Sequence, residues 1–441
     1  MPLMVRYFAQ LSCTAVFLYS VIASSVSFAL VQIDITQGNV EPVPIAIDAF
    51  TGNNNKTKEL GHQITEVIAS NLQNSGLFRS VSKIAFLEET GFDKTPVFAN
   101  WRKLNATALI VGVVEEVSHD NIVVHFKMWD VFSEVLVEDT RYQTSYKAWR
   151  RIAHKISDKI YSRTTGETGY FDTRVVFISE DGPPKKRVKR LAVMDQDGEN
   201  VKFLTNGKYL VLTPRFDMKN HKIIYMSYQN LVPKVYTLDI HTGVQKLIGH
   251  FPGMSFAPRF SPDGHYAVMS VAKHGATNLY QVDLRSGVMT QLTYDRAIIN
   301  TSPSYSPDGS RIVFNSDRGG SRQLYVMNRD GSDVKRISFG TGVYATPVWS
   351  PRGDYIAFTK FDAQAFYIGI MRTDGSGERL LTTSWLDEGP TWSPNGRVIM
   401  FTRRRMDGHS NLYAIDITGY HERLIRTPQD ASDPAWSHLL Q

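Results

Sequence analysis

Cysteine is almost absent from this chain. The only one, Cys13, lies inside an apolar N-terminal run, so disulfide frameworks and thiol chemistry are excluded from everything that follows it. Catalytic grammar is missing too. There is no Gly-x-Ser-x-Gly elbow, no His-Glu-x-x-His and no Gly-x-x-x-x-Gly-Lys-Ser/Thr loop, the patterns of nucleophilic hydrolases, zinc peptidases and phosphate-cradling enzymes. The 12 histidines are scattered without metal-ligand spacing. Asp195-x-Asp197-Gly198 and Asn328-x-Asp330-Gly331 open like calcium loops, but neither reaches a glutamate at the twelfth position, so both read as turns. The formal charge of +6 is diffuse. Its one dense cluster, Lys185-Lys186-Arg187 with Lys189-Arg190, has no stacking aromatics beside it and reads as a solvated loop tip, not a nucleic-acid surface. Arg403-Arg404-Arg405 reads the same way. No cofactor, no metal and no enzymatic activity are expected.

What is present is a repeat. The triplet proline, any residue, aromatic occurs at Pro214–Phe216, Pro258–Phe260, Pro303–Tyr305, Pro347–Trp349, Pro390–Trp392 and Pro434–Trp436, with aromatic spacings of 44, 45, 44, 43 and 44. A period of this length marks a supersecondary unit repeated as a propeller, solenoid or array. Four copies continue into a Ser-Pro-x-Gly turn, at Ser261–Gly264, Ser306–Gly309, Ser350–Gly353 and Ser393–Gly396. Proline presets φ there and glycine tolerates positive φ. Short β-rich runs follow, such as Ile312-Val313-Phe314 and Ile356-Ala357-Phe358, with no helical spacing between them. Four short strands per period describe a propeller blade.

The repeat is offset in a telling way. Before the first triplet stand three strand-like runs, around Val175-Val176-Phe177, Leu191–Met194 and Val201–Leu204, that lack an innermost partner. After the last triplet no further strands follow. Joining the two ends makes six complete blades and removes the open sheet edges that invite aggregation. In such a ring the residues leading into each innermost strand gather at one end of the axis. Here they are Leu212-Thr213, Phe256-Ala257, Thr301-Ser302, Ala345-Thr346, Glu388-Gly389 and Ser432-Asp433, mostly small or short and polar, which leaves room for an inserted loop. Carboxylates from different blades meeting at this mouth are the enzymatic alternative, a secreted hydrolase or carbohydrate-binding propeller.

Residues 1–29 read as a secretory signal: Arg6, an apolar run from Tyr7 to Ala23, then small residues in Ser27-Phe28-Ala29. Residues 30–41 alternate Val31, Ile33 and Ile35 with polar neighbours, a terminal strand that can dock at home or add to a partner's sheet. Residues 42–165 lack the repeat. Leu60, Ile64, Val67, Ile68 and Leu72 predict an amphipathic helix. Ala108–Val114 predicts a buried strand, Asn121–Phe132 and Glu134–Gln143 a hairpin, and a second helix runs from near Ala148 to the Gly166 region, with His154 as a surface or interdomain residue. The expected fold is therefore α+β and multidomain: a small N-terminal α/β domain (42–165) followed by a six-bladed β-propeller (166–441) closed by its C-terminal strand.

The run Arg151-Ile152-Ala153-His154-Lys155-Ile156-Ser157-Asp158-Lys159-Ile160-Tyr161, then Thr165-Gly166-Glu167 and Phe171-Asp172-Thr173-Arg174, resembles the interdomain linker of the TolB family, periplasmic propellers of the Tol–Pal envelope system. Asn105–Ala108 and Leu386-Asp387-Glu388-Gly389-Pro390 match as well, and the resemblance spans essentially the whole chain. It implies a monomeric, non-enzymatic periplasmic adaptor that supports outer-membrane integrity and constriction during cell division. It implies two partners: a Pal-like outer-membrane lipoprotein at the channel mouth and a TolA-like inner-membrane protein at the N-terminal strand. Family positions facing Pal map onto Met254, Ala257 and Thr301, and Met254 stands where the family pattern carries histidine. With the ring read from the repeat, the expected Pal-facing set is Met254, Ala257, Thr301, Ser302, Thr346, Asp387, Glu388 and Ser432. The expected TolA-facing set is Val31, Ile33 and Ile35.

Overall fold

The computed structural model describes residues 41–440 apart from Glu89, Pro184, Lys185, Leu231 and residues 250–252. The expected signal segment and Val31, Ile33 and Ile35 lie outside the described residues.

The N-terminal sheet has the order β3-β1-β4-β5-β6, with β1 (Val43–Ile47), β3 (Phe78–Ser80), β4 (Ala108–Ser118), β5 (Asn121–Asp130) and β6 (Val135–Ser145); the short β2 (Thr51–Gly52) pairs with β4. β1 runs parallel to both its neighbours, while β4, β5 and β6 are antiparallel. Helix α1 (Asn55–Asn74) starts at Asn54, whose side chain accepts from the Thr57 backbone while the Thr57 hydroxyl accepts from the Asn54 backbone. That reciprocal capping box satisfies two donors the helix end would leave unpaired. The predicted stripe Leu60, Ile64, Val67, Ile68 and Leu72 is the buried face of α1, and it packs against α3 (Trp149–Thr165). A short helix α2 (Phe98–Lys103), which the sequence pattern does not announce, lies between β3 and β4.

The hairpin turn is wider than predicted. Asp130 Oδ1 accepts from the backbone N–H groups of both Phe132 and Ser133 at 2.9 Å, so β5 ends at Asp130 and β6 begins at Val135. Gly112 serves packing: a Cβ there would stand 2.4 Å from the Phe50 ring.

Six four-stranded antiparallel sheets follow. Five are consecutive in the chain, their innermost strands being Val211–Phe216, Met254–Phe260, Asn300–Tyr305, Val343–Trp349 and Asp387–Trp392. The sixth joins the two ends: Asp430–Trp436 pairs with Arg174–Asp181, followed by Val188–Asp195 and Lys202–Phe203. Each innermost strand touches those of both neighbouring blades, so the ring is closed. All four Ser-Pro-x-Gly tetrads form one turn, with the glycine N–H donating to the serine carbonyl at 2.9 Å and the glycine at φ between 67° and 79°.

Apolar clusters fill the seams between blades. The largest cluster continues from the α/β sheet through Tyr161, Tyr170 and Phe171 to Trp436, so the two domains share one core. His154 is buried in this joint, with Nδ1 2.9 Å from Asn71 Nδ2; it is an interdomain residue, not a surface one. The basic clusters also differ from their reading as solvated tips. Arg187 and Lys189 both hold the buried Glu180 at 2.8 Å, and Arg187 reaches Asp430 at 2.8 Å. Arg403 is committed to Asp387. The carboxylates they satisfy come from the same or adjoining strands, a juxtaposition that only sheet register creates. Among the described residues no helix is long and apolar enough to cross a membrane.

Candidate partner-binding channel

The channel mouth is built from one backbone device used six times. Every innermost strand breaks register just before its aromatic anchor, between Leu212 and Arg215, Phe256 and Arg259, Thr301 and Ser304, Ala345 and Val348, Glu388 and Thr391, and Ser432 and Ala435. The residue before each proline is left-handed: Thr213 (φ 50°), Ala257 (49°), Ser302 (55°), Thr346 (45°), Gly389 (67°) and Asp433 (51°). The proline explains the placement. It has no N–H to give the ladder, so inside a sheet it is tolerated at a bulge. A left-handed residue costs about 1–2 kcal/mol unless it is glycine, and five of these six are not. The surrounding ring pays that conformational cost through bonds between blades. The Gly389 N–H donates to Thr359 Oγ1 at 3.2 Å, the Asp433 N–H to Thr402 Oγ1 at 3.0 Å, and the Thr213 N–H to Asp433 Oδ2 at 3.3 Å.

Of the expected partner-facing residues, this device unites Ala257, Ser302 and Thr346. Thr346 shares a hydrogen bond with Thr359 (Oγ1–Oγ1 2.8 Å). Thr301 donates to Asn315 Oδ1 at 3.1 Å. Met254 is 47% exposed at the start of its strand. Glu388 is half-buried, and burial, reinforced by the nearby Asp433 charge, raises its carboxyl above the usual range. Two others turn inward. Asp387 is fully buried, gripped by Arg403 Nε and Nη2 at 2.7 and 2.8 Å and by the Thr382 hydroxyl at 2.7 Å. Ser432 is buried, donating to Glu180 Oε1 at 2.5 Å. The sequence reading missed the left-handed ring. Its signal was the position itself, three residues before each aromatic, where only Gly389 and Asp433 are types at home in that conformation.

Among the described residues, the group with potential metal ligands is at the interdomain joint instead. His154, Asp195 and Asp197 offer atoms within 4.8 Å of one another. Arg150 already supplies positive charge there, 2.5 Å from Asp197.

Fold and site together define a six-bladed propeller joined to a small α/β domain through one continuous core, with short side chains on left-handed backbone at the mouth of its axis. Family models described as "TolB beta propeller domain" and "TolB amino-terminal domain" match residues 161–440 and 31–137. The Tol-Pal system protein TolB of Rickettsia massiliae (strain Mtu5) is 50% identical over 439 residues, covering 96% of this chain and 98% of the relative. Its namesake from Gluconobacter oxydans (strain 621H) is 45% identical over 412 residues, covering 92% and 88%. The crystal structure of TolB from Acinetobacter baumannii superposes with a TM-score of 0.81 at 26% identity, covering 92% of this chain and 99% of that one. The chain belongs to the TolB family.

Proposed function

We propose that this protein is a periplasmic, non-enzymatic adaptor of the Tol–Pal envelope system. It holds a Pal-like outer-membrane lipoprotein at the channel mouth and engages a TolA-like inner-membrane protein through Val31, Ile33 and Ile35, supporting outer-membrane integrity and constriction during division. The observation that carries this reading is the sixfold left-handed ring: strained backbone kept at a solvated opening is a mark of binding sites. Met254, Ala257, Thr301, Ser302, Thr346 and Glu388 form the contact surface, while Asp387 and Ser432 support it from below.

Pull-down of a Pal-like lipoprotein is the test. Ala257→Arg and Thr301→Arg leave the ring folded and abolish capture; full capture by both folded variants rejects the mouth as the site. Deleting residues 30–41 removes TolA-type binding and preserves Pal-type binding, as read by titration calorimetry with each partner. Undiminished TolA-type binding rejects the strand assignment. The raised Glu388 beside Asp433 is the one observation that favours the glycosidase alternative; turnover of a glycoside lost in Glu388→Gln would establish it.

A further inference from the structure

Between its proline and its aromatic, each innermost strand carries one residue that the repeat leaves free. In ring order these are Arg215, Arg259, Ser304, Val348, Thr391 and Ala435. All six line a single cavity of about 390 Å³. It sits beyond the bulges, at the end of the strands where the Ser-Pro turns gather, away from Ala257 and Thr301. The six anchor aromatics wall it. Among the described residues no aspartate or glutamate lines it, although two arginines do.

Those arginines are poorly provided for. Arg215 donates to the carbonyl of its own neighbour Pro214 at 2.6 Å. Asp433 attracts it from the mouth side, but forms no ion pair with it among the described residues. Arg259 has no hydrogen bond or ion pair among the described residues, and its nearest charged influence is Arg215, a like charge. Burial first, and that repulsion second, lower its guanidinium pKa well below the ordinary value. Two further donors face the same space. Ser304 Oγ accepts from the Trp349 N–H at 3.4 Å and Thr391 Oγ1 accepts from the Trp436 N–H at 3.1 Å, which leaves each hydroxyl proton free to point elsewhere. His438, also in the lining, is pushed toward its neutral form by burial.

The ring thus offers donors from four of six blades and a charge that nothing inside the cavity balances. Both arginines are half-buried, and a charge partly withdrawn from water without a partner is unfavourable; a guanidinium presents a planar fork matched to a carboxylate. The cavity volume lies at the small end of ligand pockets, sufficient for one small molecule or one inserted side chain. We propose that this cavity is a carboxylate-binding site, in which Arg215 and Arg259 clamp one carboxylate while Ser304 and Thr391 donate to it. The carboxylate belongs either to a free small acid or to an aspartate or glutamate entering on a peptide. The proposal is separate from the mouth and does not depend on which partner binds there.

The experiment is a thermal-shift and calorimetric titration of the purified protein at constant ionic strength. The probes are sodium succinate, the peptide acetyl-Gly-Asp-Gly-amide and its asparagine counterpart, with sodium chloride as the reference. Saturable binding of succinate or of the aspartate peptide, without binding of the asparagine peptide, is expected. Succinate alone assigns a free acid as the source; the aspartate peptide alone assigns an inserted side chain. Arg215→Gln and Arg259→Gln each weaken binding about tenfold, the size of one lost charge-assisted hydrogen bond. Arg259→Gln melts no lower than the parent without ligand, because it removes an unpaired charge, so loss of binding is not loss of fold. Absence of saturable binding by both carboxylate probes overturns the site, as does equal binding by the parent and both variants.

Discussion

Single residues at the mouth separate conformational cost from contact cost. At Gly389 a Cβ would meet nothing within 4 Å, yet φ is 67°. Gly389→Ala is therefore expected to lower stability by about 1–2 kcal/mol through the backbone alone, read by chemical denaturation; an unchanged midpoint would mean the strand relaxes out of its bulge. Asp387 presents the opposite case. Its cost lies in contacts, because removing it takes one of the two carboxylates that Arg403 pairs with among the described residues and leaves it Glu422 at 2.6 Å and the Tyr413 ring at 4.5 Å. Asp387→Ala is expected to destabilise by about 3 kcal/mol. Met254→Ala, at an exposed position, should stay within about 0.5 kcal/mol. The sequence reading grouped Asp387 and Met254 together because both stand shortly before a Pro-x-aromatic anchor; each opens an innermost strand, and only the alternation of faces along the strand distinguishes them.

Closure is decided at the level of the strand. Trp436 is 7% exposed, its Nε1 donates to Thr173 Oγ1 at 2.8 Å, and its ring stands edge-on to Tyr170 at 5.7 Å. It thus joins the last strand, the first blade strand and the interdomain core. Trp436→Ala should cost about 3–5 kcal/mol. Removing residues from Asp433 onward should go further, because Arg174–Asp181 would lose its partner and become an open edge. Aggregation and a lowered melting temperature are the expected readouts; a truncated chain that melts and sediments like the parent would refute closure as a source of stability. The pairing was legible in the sequence, since the missing strand at one end and the surplus strand at the other are complementary. The hydrogen bond to Thr173 was not, because nothing in a linear pattern aligns residues 263 positions apart.

For the whole molecule, the joint between domains carries a pH dependence. Asp158 on α3 accepts from the Phe171 and Asp172 N–H groups at 2.7 and 2.9 Å, and burial nevertheless raises its carboxyl to about 7. The folded protein therefore keeps this proton over a range where the unfolded chain, with an aspartate near 4, has lost it. Folded binding of the extra proton means that stability from this group is fully present below about pH 4 and declines as pH rises toward 7. The scale is on the order of 1.4 kcal/mol per unit of displacement. The stability of the parent minus that of Asp158→Asn should fall by a few kcal/mol between pH 4.5 and 7.5, measured by denaturation at each pH. A difference independent of pH would place the Asp158 carboxyl at an ordinary value. Glu167 ties the same joint, with Arg397 Nε at 2.8 Å and Arg352 Nη2 at 2.8 Å.

The sequence by itself determined the period, the six blades, their closure, the amphipathic face of α1 and the extent of α3. These are local or repeated features: a turn, a triplet or a helical stripe is specified within a few residues, and repetition multiplies the signal. Tertiary structure decided which residues at equivalent repeat positions face the mouth, the cavity or the core. Asp387 turned inward to Arg403, Lys189 and Arg187 turned to Glu180, and Arg215 and Arg259 came to face one space. Burial and electrostatic pairing depend on what arrives from other blades, so residues that read alike along the chain acquire different charges to answer and different work to do.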